Sequence, residues 1–184
     1  ALELSKVLPI DKKRVFNIYS GCDKSIFNKQ SIDSNIAFLN LPKHYILYCG
    51  AIDIRKNVRR LIIAYSLLSK EIKNEYKLVF VGKLTSLEVE QLIMWVKEFG
   101  INTDSILILG YVNDNELDEL YRRCSLFIMT SLHEGFGLPL LEAMSCGAPA
   151  IGSDRTSIPE VIGDSRAMFN PNDTSKMSDL IEKA

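Results

Sequence analysis

The chain has 184 residues, which suits one ordinary domain with a sizeable hydrophobic core. Its 47 % apolar and 24 % charged residues are typical of a globular protein, and a net charge of -1 argues against a nucleic-acid-binding surface. Four widely spaced cysteines indicate the reduced thiols of a cytosolic protein. The sequence has neither a signal-peptide pattern nor an apolar run near the ~20 residues of a membrane span.

In chain order, short apolar runs alternate with amphipathic stretches. The apolar runs predict strands over residues 14–20, 45–49, 77–82, 105–110, 126–130, 148–152 and 167–169. Helical spacing of apolar residues predicts helices over residues 58–68, 84–99, 117–124 and 138–146. Asn113 and Glu116 form a candidate capping box before the third helix. The polar residues 21–44 are predicted to be a loop or linker.

Strands that are apolar on both faces and alternate with helices of ~10–15 residues are typical of the α/β class. We therefore predict a Rossmann-like, doubly wound, mostly parallel sheet with helices on both faces. Residues 1–40 are interpreted as a lead-in segment and linker, and residues 41–184 as the domain itself. Both ends of the chain break off within helix-like patterns, so we expect a piece of a larger protein.

In a doubly wound sheet, ligands bind at the carboxyl ends of the strands. The loops at that edge are predicted to follow Cys49, Gly82, Gly110 and Thr130.

The first of these loops, GAIDIRKN over residues 50–57, has the composition of an anion site. Gly50 leaves room for a ligand close to the backbone. Arg55 and Lys56 come just before a predicted helix, whose free N–H groups and positive dipole end would help two cations to hold a diphosphate. The alternative is solvated surface charge, the commonest fate of such a pair.

The loop after Thr130 is more specific. Gly135 and Gly137 would let backbone amides approach a phosphate or a sugar oxygen, with Phe136 between them. Glu134 belongs to the loop and Glu142 to the following helix, so the two carboxylates need not share a helix face. Glu142 is suited to hold a ribose diol, and Glu134 to contact a transferred sugar. Solvent-facing acids beside a tight glycine turn are the alternative.

These residues resemble a known family. The chain is similar to the C-terminal, donor-binding domain of retaining glycosyltransferases of family 4 (group 1), which is one half of a GT-B fold. The most specific match is the E-x7-E motif of residues 134–142, within EGFGLPLLEAM. Weaker matches occur in the expected order at GCD of residues 21–23 with Phe27, YCGAIDIRKN of residues 48–57, LVFVG of 78–82, LGYV of 109–112 with Leu117 and Tyr121, and SIPEV of 157–161.

The resemblance implies roles for the matching positions. It assigns Glu134 to the donor sugar, as the catalytic-site carboxylate, and Glu142 to the nucleotide ribose. The other implied contacts to the donor are made by Gly50, Arg55, Lys56, Gly135, Phe136, Gly137 and Leu138. The residues implied to border the base are Tyr111, Val112 and Leu117. Two departures from the family pattern are Ala51, where many relatives have arginine, and Cys22, where valine is usual.

The implied activity is transfer of a sugar from a nucleotide diphosphate sugar to an acceptor hydroxyl, with retention at the anomeric carbon. The donor is the substrate, and no cofactor is implied. No D-x-D occurs and His44 and His133 lack metal-ligand spacing, so no metal site is expected. The acceptor-binding N-terminal domain would act in cis, and we expect this chain alone to bind nucleotide without turnover. A cytoplasmic protein is implied, with any contact to the inner membrane face made through that other domain.

The same residues bear on other classes of nucleotide-binding protein. A nicotinamide-dependent dehydrogenase would require G-x-G-x-x-G after the first strand, and a P-loop enzyme G-x-x-x-x-G-K-[ST]; the chain has neither. A sugar phosphorylase, a sugar-nucleotide epimerase and a degenerate nucleotide-binding module remain alternatives.

Overall fold

A computed structural model describes residues 4–30 and 40–184. Its centre is one sheet of six parallel strands in the order β3-β2-β1-β4-β5-β6. The strands are β1 (His44–Cys49), β2 (Tyr76–Val81), β3 (Ile106–Gly110), β4 (Leu126–Met129), β5 (Ala150–Ser153) and β6 (Met168–Phe169).

Helices cover both faces of the sheet, and those that lie between β1 and β6 in the chain connect successive strands. They are α1 (Leu4–Val7), α2 (Val58–Leu67), α3 (Lys70–Glu75), α4 (Ser86–Glu98), α5 (Asp114–Arg123), α6 (Leu138–Ser145), α7 (Ile158–Ile162) and α8 (Thr174–Lys183). None of the helices in the described part of the chain is long and apolar enough to cross a lipid bilayer.

The alternation of side chains along the strands divides the core in two. On β1, Ile46 and Tyr48 pack with α2, α4 and α8 on one face, whereas Tyr45 and Leu47 pack with α5, α6 and α7 on the other. Strands buried on both faces explain why β1, β2 and β4 are almost continuously apolar. The predicted doubly wound α/β fold is confirmed, and every described strand pairing is parallel.

Most predicted elements lie within two residues of the observed ones, and both cap bonds of the Asn113–Glu116 box are present. The strand predicted over residues 14–20 is wrong: a short 3-10 helix at Lys12–Arg14 precedes a segment that has no regular secondary structure. Phe16 and Ile18 are 78 % and 88 % exposed, so their alternation reflects no contact within the described residues. The sequence pattern does not reveal α3 and α7, which are only six and five residues long.

Part of the predicted loop over residues 21–44 packs against the domain. Phe27 is buried with its ring 6.0 Å from the ring of Tyr121. Arg122 of α5 donates a hydrogen bond to the carbonyl of Asn28. Residues 31–39 of the predicted loop lie outside the described residues, and His44 already belongs to β1.

The strand order reverses direction between β1 and β4. From β1 the chain proceeds outward to β2 and β3, and it then returns to the other side of β1 to add β4, β5 and β6. The loops that leave β1 and β4 therefore diverge to opposite faces and open a crevice at the carboxyl ends of these strands. The loops at this crevice are residues 50–57 and 130–137, which contain most of the predicted site residues.

Candidate functional site

At the carboxyl edge of the sheet, the backbones of neighbouring strand ends are in close contact. The Gly50 N–H donates to the Val81 carbonyl at 2.9 Å, and the Gly82 N–H donates to the Gly110 carbonyl at 2.9 Å. An added Cβ at Gly82 would lie 2.4 Å from the Gly50 carbonyl oxygen, a distance that real Cβ atoms do not adopt. Glycine at position 82 therefore allows the ends of β1 and β2 to meet beside the crevice.

The two crevice loops are bonded directly to each other. The Thr130 hydroxyl donates to the Lys56 carbonyl at 2.8 Å, and the Leu132 N–H donates to the Arg55 carbonyl at 2.7 Å. These bonds join residues more than seventy positions apart in the sequence. The β1 loop and the β4 loop therefore form one structural unit.

Asn57 completes this connection. Its backbone is left-handed, with φ 59°, a conformation that asparagine tolerates better than most residues. Its buried amide donates to the Thr130 carbonyl at 3.1 Å and to the Pro171 carbonyl at 2.8 Å, and it accepts a bond of 2.9 Å from Arg60. One side chain thus ties the β1 loop to two other loops and to α2.

The structure brings Lys56 and Glu134 together across the crevice. The Lys56 Nζ lies 2.7 Å from the Glu134 Oε1, and the two side chains are only 23 % and 13 % exposed. The Ser131 hydroxyl donates to the same carboxylate oxygen at 2.7 Å. A fixed cation and a fixed carboxylate therefore face each other at the switch point of the sheet.

Arg55 has a different environment from Lys56. Its guanidinium donates two bonds to Asp53, of 3.2 and 3.1 Å, and its side chain is 67 % exposed. The hydrogen bond from Arg55 lowers the pKa of the Asp53 carboxyl. Of the two predicted diphosphate-binding cations, only Lys56 therefore points into the crevice, and Arg55 lies at its rim.

The carboxylate of Glu142, in the second turn of α6, is oriented by a hydrogen bond from α5. The buried Tyr121 hydroxyl of α5 donates to the Glu142 Oε2 at 3.1 Å. Burial raises the pKa of the Glu142 carboxyl, while this hydrogen bond acts to lower it. Burial also raises the pKa of the neighbouring Cys49 thiol to about 11, so Cys49 is not an activated nucleophile.

The backbone of Glu134 is fixed by the loop that follows β5. The Glu134 N–H donates to the Thr156 hydroxyl at 3.1 Å, and the Ser157 hydroxyl donates to the Glu134 carbonyl at 3.2 Å. The Ser153 hydroxyl donates to the Ser131 carbonyl at 2.6 Å. The loop after β5 is therefore a third component of the candidate site.

The glycines of EGFG lead directly into α6. Gly137 precedes the helix in a left-handed conformation, with φ 97°, and Leu138 is the first helical residue. Pro139 has no N–H, and the N–H groups of Leu140 and Leu141 donate to the Gly137 carbonyl at 3.1 and 3.2 Å. The ring of Phe136 lies 6.3 Å from the ring of Tyr19, and Leu138 is 41 % exposed. An added Cβ at Gly135 would meet nothing within 4 Å, which leaves open space beside that backbone.

The residues predicted to border a base are only partly accessible. Tyr111 follows β3 and is 67 % exposed, with the Lys83 Nζ 5.0 Å from the centre of its ring. Val112 is buried, and the half-buried Leu117 packs against the same core. The structure therefore leaves the Tyr111 side chain open at this edge, whereas Val112 and Leu117 present little side-chain surface.

Metal-ligating side chains do not cluster in the described part of the chain: it contains no group of three or more His, Cys, Asp or Glu that could hold an ion. His133 is exposed beside Glu134, and His44 packs against the ring of Tyr76 at 5.4 Å.

Several contributors to the site were not identified from the sequence. Asn57, Tyr121 and Gly82 lie within motifs that indicated the family, but their local pattern does not reveal which contacts they make. No sequence motif indicates a role for Thr156. The bonds of these residues become visible only when the strand order is known.

A doubly wound parallel sheet with charged loops at its switch point defines a ligand-binding domain of the Rossmann type. The sequence profile described as Glycosyl transferases group 1 matches residues 29–184, and the chain belongs to this family. The predicted membership of the group 1 glycosyltransferases is thereby confirmed.

Curated relatives agree with this assignment. The chain is 39 % identical, over its whole length, to the serotype-specific mannosyltransferase WbdA of Escherichia coli, of which it covers 23 %. It is 43 % identical over 73 % of its length to the O-antigen chain mannosyltransferase B of Escherichia coli, of which it covers 35 %. The chain thus spans only about a quarter to a third of these relatives.

Solved structures share the fold. The sucrose-phosphate synthase of Thermosynechococcus elongatus superposes with a TM-score of 0.76 and 25 % identity, over 89 % of this chain and 41 % of that one. Anabaena HepE, in complex with UDP and glucose, gives a TM-score of 0.73 with 20 % identity, over 90 % and 46 % of the two chains. The fold is the Rossmann-like half of a GT-B structure.

Proposed function

We propose that this chain is the donor-binding domain of a retaining, metal-independent glycosyltransferase that moves mannose from a nucleotide diphosphate mannose to an acceptor hydroxyl. The observation that carries the proposal is the Lys56–Glu134 pair at the switch point. The bond that breaks joins the diphosphate to the sugar. The Lys56 ammonium suits the anionic diphosphate, and the Glu134 carboxylate suits the sugar carbon, which develops positive charge.

The diphosphate end of the donor is assigned to Lys56 and to the start of α6. When the bond to the sugar breaks, negative charge builds on the departing diphosphate. A fixed ammonium and oriented backbone N–H groups stabilise such charge best in a site with little water. Lys56 is mostly buried and already oriented, so little reorganisation is needed. Arg55, at the rim, adds positive charge from outside.

The sugar end is assigned to Glu134. Bound diphosphate would draw Lys56 away from the carboxylate, which would then be free to contact the sugar and stabilise an oxocarbenium-like centre. The Ser131 hydroxyl remains to hold one carboxylate oxygen in place. Glu134 acts here by position and charge, and the backbone of Gly135, Phe136 and Gly137 borders the sugar and the phosphates.

The nucleoside is assigned to the α6 and β3 side of the crevice. Glu142 would accept hydrogen bonds from the ribose hydroxyls, with Tyr121 orienting its carboxylate from below. The exposed Tyr111 would border the base. The bound complexes of HepE with UDP and glucose support a nucleotide sugar as the ligand class on this fold.

Mannose is inferred from the relatives. Two of the proteins that this chain resembles at about 40 % identity are named as mannosyltransferases, one of them for O-antigen chains. We infer a carbohydrate acceptor of that kind, bound by a second domain of the same polypeptide. This chain alone would bind the donor without transferring it.

The setting of the protein is also an inference. The four cysteines are free thiols, which supports a reducing, cytoplasmic compartment. Contact with the inner face of a membrane would come from the acceptor-binding domain.

Calorimetric titration of the 184-residue chain with GDP-mannose, GDP-glucose, GDP and UDP tests the proposal, with EDTA present throughout. We expect a nucleotide diphosphate to bind, and we expect the mannose donor to bind more tightly than its glucose counterpart. GDP against UDP identifies the base. Absence of binding by every nucleotide would contradict the proposal and favour a degenerate module.

A further inference from the structure

Thr156 adopts a backbone conformation that its side chain disfavours. It lies in the loop between β5 and α7 with φ 52°, in the left-handed region. Glycine and asparagine adopt this region readily, but for a β-branched residue it is an outlier. Such strain persists only where the surrounding structure fixes it, and it is concentrated at functional sites.

The loop around Thr156 is anchored at its start and closed into a turn at Thr156 itself. The Asp154 N–H donates to the Phe169 carbonyl at 2.8 Å, and the Ile158 N–H donates to the Arg155 carbonyl at 3.2 Å. The Ser153 hydroxyl binds the Ser131 carbonyl. Thr156 therefore follows an anchored strand end and lies within a turn that the bond between Ile158 and Arg155 closes.

What this conformation achieves is a bond to Glu134. The Thr156 hydroxyl accepts the Glu134 N–H at 3.1 Å, and the adjacent Ser157 hydroxyl donates to the Glu134 carbonyl at 3.2 Å. The Ser131 hydroxyl binds the Glu134 carboxylate. Three hydroxyl groups therefore hydrogen-bond to Glu134, one at its backbone N–H, one at its carbonyl and one at its side chain. Two of the three come from the loop after β5.

We propose that Thr156 is a positioning residue: its strained backbone presents a hydroxyl that fixes Glu134 against the sugar of the donor. This inference rests on the proposed function, because it takes Glu134 as the sugar-binding carboxylate. Within the described residues, the Thr156 side chain bonds to Glu134 and not to Lys56 or Glu142, so its effect should be confined to the sugar and should spare the nucleotide.

Three variants separate the hydroxyl from the backbone strain. Thr156→Ser keeps the hydroxyl. Thr156→Val keeps the β-branched shape and loses the hydroxyl, and Thr156→Gly loses the hydroxyl but adopts the left-handed region freely. Each is measured in the 184-residue chain for its melting temperature and for its affinity for GDP-mannose and for GDP.

We expect Thr156→Val and Thr156→Gly to bind GDP-mannose about tenfold more weakly, because Glu134 loses the bond that holds its backbone in position to contact the sugar. Both variants should bind GDP within about twofold of the parent chain. Thr156→Ser should keep the parent affinity for both. The glycine variant should melt above the valine variant, because both lack the hydroxyl but only valine retains the strain. If Thr156 were purely structural, the glycine variant, which melts higher than the valine variant, would not also bind GDP-mannose more weakly than the parent chain.

Equal affinity for GDP-mannose in all three variants would overturn the role of Thr156 while leaving the proposed function intact. An equal loss of GDP and GDP-mannose affinity would overturn it as well. Absence of binding by the parent chain contradicts the proposed function itself. In that case, equal melting temperatures of the glycine and valine variants would also disprove the strain.

Discussion

The Lys56 Nζ and the Glu134 Oε1 lie 2.7 Å apart, on two loops that leave the sheet on opposite sides of its switch point. Each of these two charges holds the other in position through the ion pair. A ligand with an anionic part and an electropositive part would replace this ion pair by two contacts, one from Lys56 to its anionic part and one from Glu134 to its electropositive part. Under the proposed function, this pair is a preformed template for a nucleotide diphosphate sugar.

The two members of this pair should contribute to different parts of the ligand. Lys56→Ala should weaken GDP binding about tenfold to a hundredfold, because a hydrogen bond to a charged group is worth roughly 1.5–3 kcal/mol. Glu134→Ala should leave GDP affinity within about threefold but reduce GDP-mannose affinity. Titration calorimetry measures both. Lys97→Ala, at an exposed position on α4, is the control and should change neither.

Gly135 should be required for the ligand but not for the fold. An added Cβ there meets nothing in the protein, so Gly135→Ala should melt within about 2 °C of the parent chain, as expected for a change with little energetic cost. The same methyl group would occupy space assigned to the donor, and GDP-mannose should bind about tenfold more weakly. Gly21→Ala, also in open space, is the matched control. Unchanged donor affinity in Gly135→Ala would remove the EGFG loop from the site.

Asn57 should be a main determinant of loop stability. Asn57→Gly retains the left-handed backbone but leaves the Thr130 and Pro171 carbonyls without their donor, which should cost about 2 kcal/mol in urea unfolding. Asn57→Asp should cost more, because a carboxylate would face two carbonyl oxygens. Asn40→Gly, at an exposed asparagine with φ 47°, should cost far less. Equal effects at positions 40 and 57 would contradict the account of the tied loops.

Glu142 should trade stability for binding. Burial raises its pKa above the model-compound value of 4.5, so the folded state binds the proton more tightly than the unfolded state does. Its contribution to stability is therefore present at low pH and is lost as pH rises through the raised pKa. Relative to the parent chain, Glu142→Gln should gain about 2 °C in melting temperature between acidic and neutral pH, while binding GDP more weakly. A constant difference in melting temperature across this range would contradict the buried-carboxylate account.

The sequence predicts the strands of this fold because they are buried on two faces. β1, β2 and β4 are apolar at nearly every position, and only a sheet covered on both sides requires that. The strand predicted over residues 14–20 shows the limit of the pattern. Alternation of Phe16 and Ile18 is compatible with a strand, but a strand also requires a neighbour to pair with, and sequence periodicity does not identify one. α3 was missed because Ile72 is its only apolar residue, which leaves no helical period to detect.

The candidate site was predictable in its location but not in its bonds. The loops after β1 and β4 followed from the α/β alternation, and the E-x7-E motif indicated the family. The pairing of Lys56 with Glu134 required the strand order, since these residues are 78 positions apart. The opposite orientations of Arg55 and Lys56 depend on the turn that Asn57 closes. The strained conformation of Thr156 has no local signature, because the residues that enforce it come from other loops.

Binding of the donor in the crevice between the β1 and β4 loops is best tested by amide chemical shifts of the 184-residue chain titrated with GDP-mannose. The account predicts shifts for Lys56, Gly135 and Gly137, and none for Tyr76 and Ile181 at the opposite edge of the sheet. Unchanged resonances in the crevice, or shifts confined to the opposite edge, would contradict it.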